Sequence, residues 1–355
     1  STVSLHSTTT AADGSYSIQG IATSTIGTWA TTSAAGDDDF WQAVTYGNGT
    51  FVAVGNNTGL DVMTSVDGIT WASTTAAGDD DAWRDVVYGN GRFVAVSDSS
   101  GGDPVMSSPD GITWTTHSVA GDNDEWRSVA YGNGVFAAVG DISEQGERAM
   151  YSYDGINWTI TSAAGNDDYW RSVTYGNGLF VAVADGSFVL DPVMTSPDGI
   201  NWTARAGTGA DDRWNDVVYG NGLFVAVGQA AGFDDAVMTS PDGITWTARS
   251  AAGDNDYWYT ITYANGLFVA AANCDLGGDD CLMTSPDGIN WATTTIAGDN
   301  DYWIDGVYGD GKFVFVSGYS PTSDNILYAD AGFGEDTPIT LYVDESATTS
   351  SSTAN

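Results

Sequence analysis

Carboxylates dominate the chemistry available to this chain. A Gly, two or three acidic or amide residues, one further residue and a Trp recur as GDDDFW, GDDDAW, GDNDEW, GNDDYW, GADDRW, GDNDYW and GDNDYW. The motif sets Asp37 and Asp39, Asp79 and Asp81, Asp122 and Asp124, Asp254 and Asp256, and Asp299 and Asp301 two residues apart, with Asp168 and Asp212 completing the other copies. A second acid precedes a short Met- or Leu-bearing segment in each copy: Asp61, Asp103, Glu147, Asp191, Asp235, Asp280 and Asp324. Short Asp/Asn loops with free carbonyls suit Ca²⁺, which takes about six to eight oxygens in loose geometry. The same carboxylates could instead accept backbone N–H bonds and brace their loops. Both readings stay open, and Ca²⁺ is the candidate cofactor. Arg84, Arg127 and Arg171, each directly after the Trp, are placed to pair with the preceding Asp in three copies.

Other reactive types are sparse. His6 and His117 are the only histidines and have no counterparts in other copies, which argues against a His-based catalytic centre. Cys274 and Cys281 flank one loop, CDLGGDDC, and are expected to form a local disulfide, implying an oxidising, exported setting. Asn48-Gly49-Thr50, Asn56-Asn57-Thr58, Asn157-Trp158-Thr159 and Asn201-Trp202-Thr203 fit an N-glycosylation pattern.

Composition narrows the partners. The 355 residues hold 47 Asp+Glu against 9 Lys+Arg, a net charge of −38. Such a chain repels phosphate backbones and anionic membrane surfaces, so nucleic acid is not an expected partner. Aromatic residues at 12% are too many for an acidic disordered chain. No run approaches the ~18 apolar residues of a membrane span, so direct insertion is not expected either.

The elements that must position these residues follow from the repeat. Trp41, Trp83, Trp126, Trp170, Trp214, Trp258 and Trp303 recur every 42 to 45 residues. A second series, Trp29, Trp71, Trp114, Trp158, Trp202, Trp246 and Trp291, accompanies them. Each unit reads as four short strands: an inner strand such as Trp170–Tyr175, a Gly-Asn-Gly turn, Leu179–Val183, a variable loop, Val193–Ser196, a Pro-Asp-Gly turn and Ile200–Thr203. Four strands per unit, seven times over, predict an all-β, seven-bladed β-propeller of four-stranded blades. The last unit lacks the Asp-Gly hairpin, and the missing outer strand is expected around Ile26–Trp29, so an N-terminal strand completes the last blade and closes the ring. The organisation is an extension over 1–22, the propeller over 23–330, and a C-terminal extension over 331–355 with a Ser/Thr-rich tail. Ser15–Ile21 and Ile339–Val343 alternate like strands. Trp, Tyr, Phe and Met at repeated positions are the expected core between blades.

The turn Ser108-Pro109-Asp110-Gly111-Ile112-Thr113-Trp114 and its relatives resemble the Asp-box of sialidase-like propellers. With WxxVxYGNGxFVAVG they are also similar to repeats of photosystem II assembly-factor-like and bacterial surface propellers. Here Asp and Gly are adjacent, where the usual box spaces them by one residue. The resemblance implies a structural turn, with Asp67, Asp110, Asp154, Asp198, Asp242 and Asp287 accepting backbone N–H bonds. It also implies a trio of arginines around a carboxylate in the enzymes, and the sequence places no such trio.

Strand alternation puts the GDxDxW segments, the second acids and the variable loops on one face. Variation there points to a partner-binding face. The expected function is an exported, extracellular or cell-surface, non-catalytic propeller for binding, adhesion or display, stabilised by Ca²⁺, with a glycan or a surface protein as partner. One alternative is a structural subunit of a filament or surface layer, self-associating through its terminal strands. Another is a glycan-cleaving, sialidase-like enzyme, for which Asp85, Asp216 and Asp305 on inner strands are the best-placed carboxylates.

Overall fold

The computed structural model describes residues 7–10, 16–19, 24–35, 40–56, 61–77, 82–98, 103–119, 125–141, 148–164, 169–185, 191–208, 213–229, 236–253, 257–272, 281–294, 296, 302–318, 325–333 and 339–341. Every regular element among them is a strand. The chain divides into two compact units, Thr28–Asp330 and a smaller one made of Ser1–Gly27 with Ala331–Asn355.

In the larger unit each repeat pairs its strands antiparallel in chain order. Tyr169–Gly176, Leu179–Asp185, Val193–Ser196 and Thr203–Arg205 form one such set. The first hairpin is tight because Asn177 (φ 50°) and Gly178 (φ 79°) both take the left-handed conformation that a two-residue turn of this hand requires. The outer strand begins later than the sequence suggested, at Thr203 rather than Ile200. Asp198 Oδ1 accepts the N–H groups of Ile200 (2.9 Å) and Asn201 (2.8 Å), which winds those residues into the turn and frees the ladder only after Trp202.

The sets beginning at Trp41, Trp83, Glu125 and Trp258 are separate four-stranded sheets. Those containing Tyr169–Gly176 and Arg213–Gly220 are joined by one bridge, Asp185 to Arg213. In the last set Trp303–Gly309 pairs with Lys312–Ser317, and that strand pairs with Ile326–Phe333. Ala30–Thr32 then adds on the outside, Thr31 opposite Leu327. The N-terminal segment thus supplies the missing strand, again displaced past its Trp, to Ala30–Thr32 from the expected Ile26–Trp29. Inner strands adjoin cyclically, from Trp41–Gly47 beside Trp83–Gly89 around to Trp303–Gly309 beside Trp41–Gly47.

The core lies between consecutive sheets. Val94, Val96 and Val105 of one sheet meet Trp126, Phe136, Met150 and Trp158 of the next. All tryptophans of the first series are fully buried, each removing roughly 150–250 Å² from water. The inner strand ends in Gly where the next sheet's Tyr packs flat on it: a Cβ on Gly176 would stand 2.0 Å from Tyr219 Cγ. Ala264 takes this position in one copy, and the ring next in order, Tyr308, sits 5.1 Å from Phe313. In the neighbouring copy the corresponding Tyr263–Phe268 distance is 4.4 Å.

In the smaller unit Ser7–Thr10, Tyr16–Gln19 and Ile339–Leu341 form a three-stranded sheet, Tyr16 opposite Leu341. Ser24–Ile26 pairs with Ala331–Phe333. The tail Ser346–Asn355 lies outside the described residues.

Candidate functional site

The inner strands carry a β-bulge directly after each Trp. Register passes from Trp126 opposite Gly140 to Ser128 opposite Val139, leaving Arg127 as the extra residue. Gln42, Arg84, Arg171, Asn215, Tyr259 and Ile304 hold the same position. A bulge re-aims the inserted side chain. Here the inserted residues line a recess of about 260 Å³, whose deeper layer includes Ala43, Asp85, Ser128, Ser172, Asp216 and Asp305.

That deeper layer solves a backbone problem. Apart from the single Asp185–Arg213 bridge, each inner strand has a ladder partner on one side only, so its other edge presents N–H groups outside any ladder. Side chains meet them. Asp85 accepts the N–H of Val86 and that of Val129 on the next strand, both at 2.7 Å. Asp216 accepts Val217 and Ile261, both at 2.8 Å. Asp305 accepts Gly306 and, around the closure, Val44, also at 2.8 Å. Ser128 Oγ takes the N–H of Val173 at 3.1 Å, and Ser172 Oγ donates to Asp216 at 2.7 Å. Burial pushes the Asp85 carboxyl up to about 6 despite these bonds, and it also raises Asp216. Asp305 is raised well above the usual range by burial and by the charges of Asp85 and Asp216. Both oxygens of all three carboxylates are committed to backbone amides.

The upper layer is divided. On one arc, acids at the end of each second strand alternate with the bulge arginines. Arg84 holds Asp98 and donates to Gln42 at 2.9 Å. Arg127 reaches Asp98 (3.1 Å), Asp141 (3.0 Å) and Glu125 (3.1 Å). Arg171 lies near Asp141 (3.9 Å) and Asp185 (3.6 Å), and Arg213 near Asp185 (3.5 Å). The opposite arc is aromatic and neutral. Tyr259 and Tyr302 lie with ring centroids 4.7 Å apart and planes tilted by 49°, and share a hydroxyl–hydroxyl hydrogen bond. Ile304 follows in ring order. Burial and the Tyr302 hydroxyl raise the Tyr259 phenol above its ordinary pKa.

Solved structures share this architecture. Virginiamycin B lyase from Staphylococcus aureus superposes with a TM-score of 0.71 at 10% identity, covering 85% of this chain and 98% of that one. YCF48 from Cyanidioschyzon merolae gives 0.59 at 13%, covering 85% and 98%, and another YCF48 structure is bound to D1 peptide. The WD40 β-propeller domain of Doa1 gives 0.61 at 13%, covering 85% and 96%. The fold is a β-propeller. Identities this low establish the fold alone. No protein-family model matches the chain, and no curated protein matches its sequence.

The propeller places the sequence-derived candidates unevenly. Asp37, Asp39, Asp79, Asp81, Asp122, Asp124, Glu147, Asp168, Asp212, Asp235, Asp254, Asp256, Asp280, Asp299, Asp301, Asp324 and Cys274 lie outside the described residues. Of the remaining acids, Asp61 is buried, Asp103 accepts the Ser118 hydroxyl, and Asp191 is exposed. Among the described residues no three His, Cys, Asp or Glu side chains converge as metal ligands. Cys281 is buried. No helix among the described residues is long and apolar enough to cross a membrane.

Arg84, Arg127 and Arg171 pair with Asp98, Asp141 and Asp185 at the ends of second strands; the aspartates that precede their Trp lie outside the described residues. The bulge position recurs in three consecutive sheets, so the three arginines stand along one wall of the recess. Asp98, Asp141 and Asp185 themselves were missed: they fall where a strand runs into a variable loop, and only their recurrence one sheet apart could have flagged them.

Two other candidates have structural roles. His117 Nε2 lies 2.8 Å from Ser107 Oγ, the relationship Arg205 and Arg249 have with Thr195 and Thr239 in later copies. Asn157 and Asn201 donate their side-chain amides to Asp154 and Asp198 at 2.8 Å, as Asn290 does to Asp287 without any sequon. The Asp-box-like aspartates brace their turns: Asp67 Oδ1 accepts Thr70 (2.7 Å) and Ile69 (2.9 Å), bonds that lower its pKa to about 2.

Proposed function

We propose that the chain is a non-catalytic binding propeller that receives its partner at the bulge-lined mouth. One observation carries this. Along the inner strands the fourth position is Val, Ile or Gly and the sixth is always Tyr, while the position after Trp runs through Gln, Arg, Arg, Arg, Asn, Tyr and Ile. The copies diverge in chemical type where side chains enter the recess. The full commitment of Asp85, Asp216 and Asp305 to amides supports a structural role for them over an acid–base pair. A glycan or a surface protein is the partner class we favour, in keeping with an exported adhesion or display module, and Cys274 with Cys281 supports that setting.

The proposal takes the ring as seven-bladed, supported by seven inner Trp positions and the cyclic order of inner strands. Turn bonding at Asp67 and its counterparts supports kinship with Asp-box propellers in structure only. Calcium in the acid-rich loops belongs to the proposal as well: EDTA should lower the melting temperature and added Ca²⁺ restore it, and an unchanged melt would remove the ion.

A glycan array run beside a screen of chromogenic glycosides tests the central reading. Binding without turnover is the expected result. Turnover that disappears in Asp85→Asn would replace the binding reading with the hydrolase one.

A further inference from the structure

We infer that the recess takes an uncharged sugar residue, its hydroxyls on the charged arc and its C–H face against Tyr259. This rests on the binding role proposed above and names the ligand class.

The first argument is electrostatic. Three arginines on one wall would suit a carboxylate or sulfate, since guanidinium edges grip such anions in a bidentate fashion. Here the edges of Arg84 and Arg127 are already taken, and Arg171 stands between Asp141 (3.9 Å) and Asp185 (3.6 Å). Arg127 directs Nε to Asp141, Nη1 to Asp98 and Nη2 to Glu125. Arg84 spends Nε on Asp98 and Nη1 on Gln42. Each positive charge on this arc has a carboxylate beside it, and three more carboxylates lie beneath. An anionic ligand would have to displace Asp98 or Asp141 to reach Arg84 or Arg127, and at Arg171 it would meet Asp141 and Asp185 on either side. The net charge of −38 adds repulsion at longer range.

The second argument is the mixture of functions at the mouth. Fully paired ions and amides keep spare lone pairs and N–H groups without net charge. Gln42 has its oxygen on Arg84 and retains a free amide nitrogen in its chemistry. Asn215 gives one N–H to the Trp258 carbonyl at 2.9 Å and keeps its oxygen as an acceptor. Sugar hydroxyls donate and accept at once and match such a lining. Tyr259 supplies the apolar wall that a pyranose C–H face requires, and its hydroxyl bond to Tyr302 holds the ring in place. A cavity of about 260 Å³ suits one residue of a chain more than an extended oligomer.

Saturation-transfer NMR on the full chain tests this, with methyl glucoside, methyl galactoside, methyl mannoside and N-acetylglucosamine as neutral probes, and N-acetylneuraminic and glucuronic acids as charged ones. Transfer to at least one neutral probe is expected, with little to the acids. Tyr259→Ala should weaken the neutral contact about tenfold or more with near-ultraviolet circular dichroism retained, and Tyr259→Phe should keep most of it. Asp141→Asn, which releases guanidinium edges, should gain binding of the acids. Equal or stronger binding of the acids by the unaltered protein would overturn the inference, as would transfer to none of the probes or neutral binding indifferent to Tyr259→Ala. A surface protein whose binding is blocked by Tyr259→Ala, with no sugar bound, would leave the binding role standing and sink the sugar.

Discussion

Asp216 on one inner strand accepts the backbone N–H of Ile261 on the next, 45 residues along the chain, at 2.8 Å. The bond crosses a sheet boundary at the innermost radius, where no ladder can reach. Asp85 and Asp305 make equivalent bonds to Val129 and Val44.

Asp216→Ala should therefore cost more than a surface change. It strands the N–H groups of Ile261 and Val217 in a buried place, and a buried donor without a partner costs about 1–3 kcal/mol. Denaturant unfolding should show a loss of about 2–4 kcal/mol, and Asp216→Asn, which keeps one acceptor oxygen, a smaller one.

The same carboxylates set a pH dependence. The folded pKa of Asp85 is about 6 against an ordinary 3.8. A raised folded value means that the stabilising contribution is fully present below about 3.8 and is lost as pH rises through 6. The difference corresponds to about 3 kcal/mol. Comparing Asp85→Asn with the unaltered chain at pH 4 and pH 7 should isolate it: the unaltered chain should lose the additional stability on going to pH 7. Parallel pH curves would refute the shift.

Packing at the ends of the inner strands gives a third test. Gly176→Ala puts a methyl group 2.0 Å from Tyr219 Cγ and should destabilise by about 1–3 kcal/mol. Ala264→Gly relieves a copy that already carries the methyl but adds backbone freedom costing about 0.5–1 kcal/mol. Its net change in unfolding free energy should be close to zero.

The ion-pair arc separates buried from exposed pairs. Arg127→Ala removes a side chain 19% exposed from Asp141, itself 5% exposed, and should cost about 2 kcal/mol or more. Arg213, 50% exposed, should cost under about 1 kcal/mol on the same change, and that loss should shrink in high salt.

Much of the scaffold was legible in the residues. Trp spacing gave the repeat, Asn-Gly gave the hairpins, and the absent Asp-Gly turn after Tyr328 pointed to strand exchange between the chain ends. Element edges were less legible. The outer strand starts after Trp202 because two amides are captured by Asp198, a contact that hydrophobic alternation does not encode; the N-terminal strand likewise starts after Trp29. At the site, Asp85, Asp216 and Asp305 were readable as channel residues, since they sit two places after Trp. Their use as amide acceptors was not, because the neighbouring-strand N–H groups they serve, on Val129, Ile261 and Val44, lie 44, 45 and 261 residues away. The arginine wall was hidden for a related reason: the sequence shows Arg after Trp, but the bulge decides that it turns along the mouth, toward Asp98 and Asp141.

Ala30–Thr32 and its partner Ile326–Tyr328 lie nearly 300 residues apart along the chain. At about 5–20 residues per second, the ribosome delivers the second segment roughly 15 to 60 seconds after the first. During that lag the nascent polymer holds a solitary threonine-rich strip and a growing arc with a bare flank. A cell producing this protein has to shield both until Ile326–Tyr328 emerges, so the step that completes the circle waits for that segment.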